Sequence, residues 1–399
     1  MVDEPAVLRG NKNQPPRGFP DAEFETRLSK AQALMQAENF DALLLTTDEN
    51  IRYFSGFHTQ FFQSPTRPWF LIVPKSGKPI AIIPGIGAEC MARTWIEDIR
   101  TWSSPHPTDD GLSLLADALK SCAASTGRVG MPMGAETALR MPLVDFDRLR
   151  ADLDGIRFSD ATGILKKLRM RKSEREIEKI AHACRGAGDA FAAVPDWLAA
   201  GMVDTEIFRA FKIDCLRRGV DDVSYLVGGA GPDGYNDIIA PPSGRPVEPG
   251  DILILDTGCI YDGYFCDFDR NFAIGSASDL SRSAYETVYR ATDAGLSAAR
   301  PGATCADLFH AMQDVLEKGG ALGNDVGRLG HGLGMQMTEW PSHTGFDETV
   351  LVPGMVLTLE PGMSYAPGKM MVHEENIVIR EDGCELLTRR AAPELPIVN

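Results

Sequence analysis

The stretch Asp251-Ile-Leu-Ile-Leu-Asp-Thr-Gly258 and its continuation Tyr261-Asp-Gly-Tyr-Phe-Cys-Asp-Phe-Asp-Arg-Asn-Phe272 decide how this chain reads. The first is an apolar run closed by Asp-x-Gly, which predicts a buried strand with Asp256 at its end. The second has a turn at Gly263 and then a further strand, so a hairpin returns Asp267 to the side of Asp256. Carboxylates gathered inside an apolar sheet are costly without a compensating cation.

Three more segments supply candidate ligands. His331 lies in Gly330-His-Gly-Leu-Gly334, where missing side chains let backbone and ions approach the imidazole. Glu360 ends Val356-Leu-Thr-Leu-Glu360 and is followed at once by Pro361-Gly362, which stops the strand. Glu374 stands in His373-Glu-Glu-Asn-Ile-Val-Ile379, where two acids precede an apolar run. All five candidates are expected on strands or strand ends, which suits a rigid site. Taken singly, an aspartate at a strand end is more often a turn or cap residue. The conjunction decides, because one imidazole among four carboxylates is a hard, oxygen-rich set for a pair of divalent ions, with manganese, cobalt, iron and zinc all compatible. Such a pair supports attack by a metal-activated water.

The pattern resembles the creatinase, prolidase and methionine aminopeptidase family of the pita-bread fold, in its Xaa-Pro peptidase-like branch. Asp256 and Asp267 stand eleven residues apart, matching that family's Asp-x-Gly and Gly-Tyr-x-x-Asp motifs. His331, flanked by Gly330 and Gly332, and Glu360 in Glu-Pro-Gly stand twenty-nine residues apart, a spacing found in that family. For the last ligand Glu374 and Glu375 compete; the family's glutamate precedes a turn glycine by nine residues, and Gly383 is nine after Glu374. Upstream, Phe24–Met35, Phe40–Leu45 and Asn50–Phe57 are similar to the opening of the creatinase-type domain, physically an amphipathic helix, a buried strand and a short helix or turn. Ser173-Glu-Arg-Glu176 reads as a capping box opening a long helix with an apolar face.

The resemblance implies an α/β (α+β) fold with three parts. A flexible segment, 1–20, precedes a creatinase/prolidase-like amino-terminal domain, 21–164, and a pita-bread catalytic domain, 165–399. It implies a dinuclear metal-dependent hydrolase of C–N bonds, in which Asp267 and Glu374 hold a bridging water and Glu360 accepts its proton. In related dimers an amino-terminal loop reaches the neighbour's site; His58 to Trp69 resembles that loop, so a homodimer is implied, with His58 and Arg67 as substrate-binding candidates.

The outer shell departs from the family. Proline-specific members carry a histidine seven residues after the ligand histidine, where this chain has Thr338. They carry another about seventeen before the first aspartate, near Ile239, and an arginine two before the last glutamate, at Val372. Those groups would donate hydrogen bonds to the peptide carbonyl, its oxyanion or the substrate carboxylate. Candidates to substitute are His343 and His373 as proton shuttles near neutral pH, with Tyr235, Asp237 and Thr338 as substrate-binding groups. Asp269 adds a further acid, and an acid-rich pocket favours a substrate with a cationic group. The alternatives are a small cationic or zwitterionic metabolite as substrate (creatinase-like amidinohydrolase, amide hydrolase or onium lyase) and a catalytically inactive binding protein.

Composition sets the remaining bounds. A chain of 399 residues suggests two domains, and a net charge of −16 argues against nucleic acid and anionic membranes as partners. No apolar run approaches the roughly twenty residues of a membrane span, and the first twenty residues lack the apolar core of a signal peptide. Eight cysteines without paired spacing fit a reducing cytoplasm. Cys259 and Cys266 lie near the proposed site and read as small apolar fillers. The glycine-rich stretch Gly228–Gly234 lacks the strand, glycine pattern and helix of a nucleotide site.

Overall fold

The computed structural model describes residues 14–323 and 327–399; residues 1–13 of the segment expected to be flexible lie outside the described residues. The chain forms two compact units, one of residues 17–169 and one of residues 170–399 with 14–16. The division falls between Arg169 and Met170 rather than at 164/165. Leu165 and Leu168 are buried parts of a helix, Thr162–Arg169, that packs on the amino-terminal helix Asp21–Ala37.

In the amino-terminal unit, strands β1 (Ala42–Leu45), β2 (Phe70–Pro74), β3 (Ile80–Pro84), β4 (Asp98–Trp102), β5 (Arg128–Met131) and β6 (Arg157–Asp160) form one sheet. Their order is β4-β3-β2-β1-β5-β6, with β1 antiparallel to β2 and parallel to β5. Every residue of β1, β2 and β3 is buried, as continuous apolar runs such as Ala42-Leu-Leu-Leu45 require. The helix Leu112–Cys122 covers β2 and β3 through Leu115 and Leu119.

The second unit holds two mainly antiparallel sheets and a short ribbon. Strands β7 (Asp222–Pro232), β8 (Asp251–Tyr261), β9 (Tyr264–Phe265) and β10 (Phe268–Ile274), with a carboxy-terminal strand Ile397–Val398, make the first. Strands β11 (His331–Gly332), β12 (Glu339–Ser342), β13 (Val356–Leu359), β16 (Glu375–Arg380) and β17 (Gly383–Leu386) make the second, while β14 (Gly362–Ala366) and β15 (Lys369–Val372) form a separate ribbon. Helices Glu174–Trp197 and Asp204–Arg217 pack on β8 and β7. Helix Asp279–Ala298 covers β13, β14 and β15 and pairs with Cys305–Lys318. The capping box at Ser173 is formed, with Glu176 Oε2 accepting from the Ser173 amide at 2.8 Å. Among the described residues no helix is long and apolar enough to cross a membrane.

The hairpin read around Gly263 is present. Asp262 and Gly263 both take positive φ, +46° and +76°, the geometry of a tight type I′ turn that matches strand twist. One expectation is corrected: β8 does not end at Asp256 but runs on to Tyr261. Gly258 explains the continuation, since a Cβ there would collide with the ring of Tyr225 on β7; without it the ring lies across the strand. Asp256 shares a strand face with Ile252 and Ile254, which belong to the apolar core. β10 runs beside β16, and there the two sheets meet.

Candidate metal centre

Register brings the acids together. Asp269 on β10 pairs directly with Asp256 on β8, and Asp267 precedes β10 by one residue. From the second sheet, His331 opens β11, Glu360 follows β13 and Glu374 precedes β16. One ligand atom each of Asp267, His331 and Glu374 lies within 4.8 Å of the others. His331 Nε2 is 3.4 Å from Asp267 Oδ2 and 3.9 Å from Glu360 Oε1.

Each donor is aimed by a neighbour. The Nδ1–H of His331 donates to the Gly332 carbonyl at 2.9 Å, which leaves the Nε2 lone pair facing the carboxylates. Thr358 Oγ1 accepts from the His331 amide at 3.0 Å. Asn376 clamps the backbone of Asp267 from both sides: its Oδ1 accepts from the Asp267 amide at 3.0 Å and its Nδ2 donates to the Asp267 carbonyl. The Glu374 amide donates to Asp269 Oδ1 at 3.1 Å, and Arg270 Nη1 donates to the Glu374 carbonyl at 3.0 Å. The hydroxyl of Tyr225 reaches Asp256 Oδ1 at 3.5 Å and donates to Asp267.

Comparison with known proteins fits this arrangement. Residues 178–381 match metallopeptidase family M24, and residues 27–171 match the creatinase/prolidase N-terminal domain. The chain belongs to metallopeptidase family M24. It is 30% identical over 377 residues to a probable dipeptidase PepE of Mycobacterium bovis, covering 91% of this chain and 94% of that one. It is 28% identical over 368 residues to an Xaa-Pro dipeptidase of Lactobacillus helveticus, covering 90% and 96%. A crystal structure of dipeptidase PepE from Mycobacterium ulcerans superposes with a TM-score of 0.83 at 28% identity, over 96% of this chain and 99% of that one.

Membership of M24 implies divalent metal ions, and the residues present fit them. Burial pushes the carboxyl of Asp256 up to about 7, with the charge of Glu360 adding to it. Burial also raises Asp267, and it raises Glu360 and Glu374 together with the charges of the neighbouring acids. His331 is raised on balance: burial alone would lower it, but Glu360 and Asp267 outweigh that. Glu374 Oε1 and Asp269 Oδ2 are buried without a hydrogen-bond partner among the described residues. A hard cation would satisfy such oxygens and hold the acids ionised.

Glu375 is not part of this M24 cluster. Its oxygens are occupied by Arg270 at 3.0 Å, by Thr388, by the Ala391 amide at 2.9 Å and by Arg390 at 3.3 Å. The alternation of β16 sends it to the face opposite Glu374.

Both proposed shuttle histidines are locked instead. His343 is fully buried, its Nε2–H donating to the Thr358 carbonyl at 3.0 Å, and burial together with the charge of His331 holds it down to about 3. It is therefore neutral throughout the range in which a shuttle would titrate. Thr292 gives its hydroxyl hydrogen to the Val288 carbonyl, so Nδ1–H of His373 donates to Thr292 Oγ1 at 3.0 Å. Nε2 of His373 then accepts from Arg390 at 3.0 Å, and burial with Arg270 and Arg390 presses its pKa well down. Of these ring nitrogens, only Nδ1 of His343 is unpartnered among the described residues, and burial suppresses its basicity.

Tyr235 is likewise committed: it is buried, donates to Asn271 Oδ1 at 2.9 Å and accepts from the Val372 amide at 2.8 Å. Asp237 is exposed and caps its own loop, accepting from the amides of Ile239 and Ala240. Thr338 does stand beside the centre, its Oγ1 3.4 Å from Nη2 of Arg328, whose Nε is 3.6 Å from Glu360 Oε1. His58 and Arg67 belong to the amino-terminal unit, where His58 is exposed 3.9 Å from Asp48 and the Arg67 carbonyl accepts from Arg140 at 3.2 Å. Tyr225, Arg328 and Asn376 escaped the sequence reading. Only Asn376 left a signal, as an amide standing between Glu375 and the apolar run of β16.

Proposed function

We propose that this chain cleaves the C–N bond of a dipeptide of the Xaa-Pro type, using two divalent ions held by Asp256, Asp267, His331, Glu360 and Glu374. Metal-dependent, dipeptidase-like hydrolysis is what the family and its full-length relatives support. The observation that carries the assignment of residues is the convergence of Asp267, His331 and Glu374 ligand atoms within 4.8 Å, beside an unpartnered Glu374 oxygen.

When bound, such ions lower the pKa of a shared water and stabilise charge on the carbonyl oxygen. The chain's own residues do the rest. Asn376, Asp269 and Gly332 hold the donors of Asp267, Glu374 and His331 in place, so no reorganisation is needed as the reaction proceeds. Glu360 is the more open carboxylate, 18% exposed against 7% for Asp267, and is the group to take the proton of the attacking water and return it to the leaving amine. With His343 and His373 held neutral, neither shares that task with Glu360. Manganese, cobalt, iron and zinc all suit the donor set. Eight free cysteines suit a reducing cytoplasm, and the homodimer implied by the His58–Trp69 loop is the assembly we assign.

The outer shell favours a second reading, a small zwitterionic amide rather than a peptide. Ile239 is 78% exposed and Val372 is buried, so neither position offers a donor to a peptide carbonyl. The test is product release from a panel of Xaa-Pro dipeptides and small zwitterionic amides, with the enzyme loaded with manganese. Free proline supports the peptide reading. An amine and an acid from the amides alone select the second, and an unsaturated product would mark a lyase and overturn both.

A further inference from the structure

We infer that Arg328 recognises a carboxylate on the substrate, and so replaces the donors that Thr338, Ile239 and Val372 do not supply. The inference rests on the hydrolase reading above. Arg328 lies at the edge of the acid cluster, with Nε 3.6 Å from Glu360 Oε1 and Nη2 3.4 Å from Thr338 Oγ1. Both contacts are long for a charged donor, so among the described residues they leave the planar N–H fork of the guanidinium largely unused. Its side chain is 28% exposed, open enough to meet a ligand and sheltered enough for the pairing to count.

The other arginines near the centre are spent. Arg270 donates to Glu375 and to the carbonyls of Asp269, Glu374 and Arg389. Arg390 is divided among Glu375, Asp293, the Tyr289 carbonyl and His373. Arg328 differs because its anionic partner is itself a candidate metal ligand. Once Glu360 shares its charge with a bound ion, the pull on Arg328 weakens and the fork is available for a second carboxylate. Glu360 is also the proposed proton acceptor, so an acid group bound at Arg328 sits close to the scissile bond. The substrate class this selects is an acylated amine bearing a carboxylate next to the cleaved C–N bond, whether a dipeptide with a free C-terminus or a smaller N-acyl amino acid.

The test uses the full-length, manganese-loaded protein and compares wild type with Arg328→Met and Arg328→Lys. Substrates are supplied as matched pairs, an Xaa-Pro dipeptide with its C-terminal amide and an N-acyl amino acid with its amide. Binding is also followed by calorimetry on manganese-loaded wild type and Arg328→Met, using matched acid and amide analogues whose scissile amide is replaced by a ketomethylene unit, so that affinity is read without turnover. Arg328→Met is expected to raise KM for the acids about 10- to 100-fold and leave KM for the amides within about twofold, with any change in kcat the same for both members of a pair. Arg328→Lys should restore part of the preference, since it returns the charge without the fork. The pair that shows the effect tells peptide from small-metabolite substrate. Equal losses on acid and amide would overturn the inference in favour of a structural role for Arg328. Absence of any acid-over-amide preference in the calorimetry of Arg328-intact protein would overturn it as well. Wild type that binds the acids selectively but turns none over would instead refute the hydrolase reading and leave the recognition role standing.

Discussion

The two units of this chain fill their sheets with similar aliphatic strands but bury different chemistry in them. β1, β2 and β3 of the amino-terminal unit place only hydrocarbon inside. In the second unit, β8, β10 and the ends flanking β13 and β16 place Asp256, Asp267, Asp269, Glu360 and Glu374 among core residues such as Ile254, Leu357 and Ile377. Burying hydrocarbon is favourable whatever the pH or metal supply. Burying a group of carboxylates is unfavourable until protons or a cation neutralise them. One region is thus self-sufficient, and the other depends on what it binds.

The largest effect expected of that difference is on activity. Asp267→Asn and Glu374→Gln keep side-chain size but remove a ligand charge, and each should lower kcat/KM about a thousandfold or more together with metal content. Near-normal turnover in either variant would break the comparison at its centre. Chelation sharpens it: hydrogen exchange should quicken in residues 251–274 and 356–380 and stay unchanged in residues 42–45 and 70–84. Ions at about a hundred times their Kd would otherwise contribute about 3 kcal/mol to the second unit. The converse variant, Leu44→Ala, opens a cavity in the first unit and should cost that unit about 3 kcal/mol while metal affinity stays as in wild type, measured by denaturant unfolding and metal titration.

Asn376→Ala loosens Asp267 without removing a ligand, and metal affinity should fall about tenfold, by titration against a competing chelator. The smallest effect is on pH dependence. The acids of the centre titrate higher in the folded, metal-free chain than in the unfolded one, reaching about 7 for Asp256. The folded chain then holds more protons than the unfolded chain above about pH 4, so metal-free stability falls as pH rises through that window. With ions bound the penalty is absent, and the difference in Tm between loaded and chelated protein should widen by a few degrees from about pH 5 to about pH 7.5. A difference that stays constant would mean the acids are neutralised by the protein itself.

The segments that bring Asp267, His331 and Glu374 together were legible because each sits in local grammar that survives folding: a turn at Gly263, a glycine-flanked histidine, and two acids before an apolar strand. Of the two adjacent glutamates, it is Glu374 that lies in the cluster, while Glu375 is held by Arg270, Thr388, Arg390 and the Ala391 amide. What was not legible depends on cross-strand register. Tyr225 reaches Asp256 and Asp267 because β7 lies beside β8 and Gly258 leaves room for its ring, and nothing local to Val223–Val227 marks it. The extension of β8 past Asp256 has the same origin. The histidines were misread for a different reason. Proximity in sequence to Glu374 placed His373 near the centre, but Thr292 and Arg390, from distant segments, use up its two nitrogens. Tyr235 was lost to Asn271 and the Val372 amide in the same way.

The most direct test of the central claim is the metal content of purified full-length protein by elemental mass spectrometry, after saturation with manganese and removal of free ions. The five-residue centre predicts about two ions per chain, with loss of bound metal in Glu374→Gln. Protein that retains no ion, or a Glu374→Gln variant that retains the full complement, would contradict it.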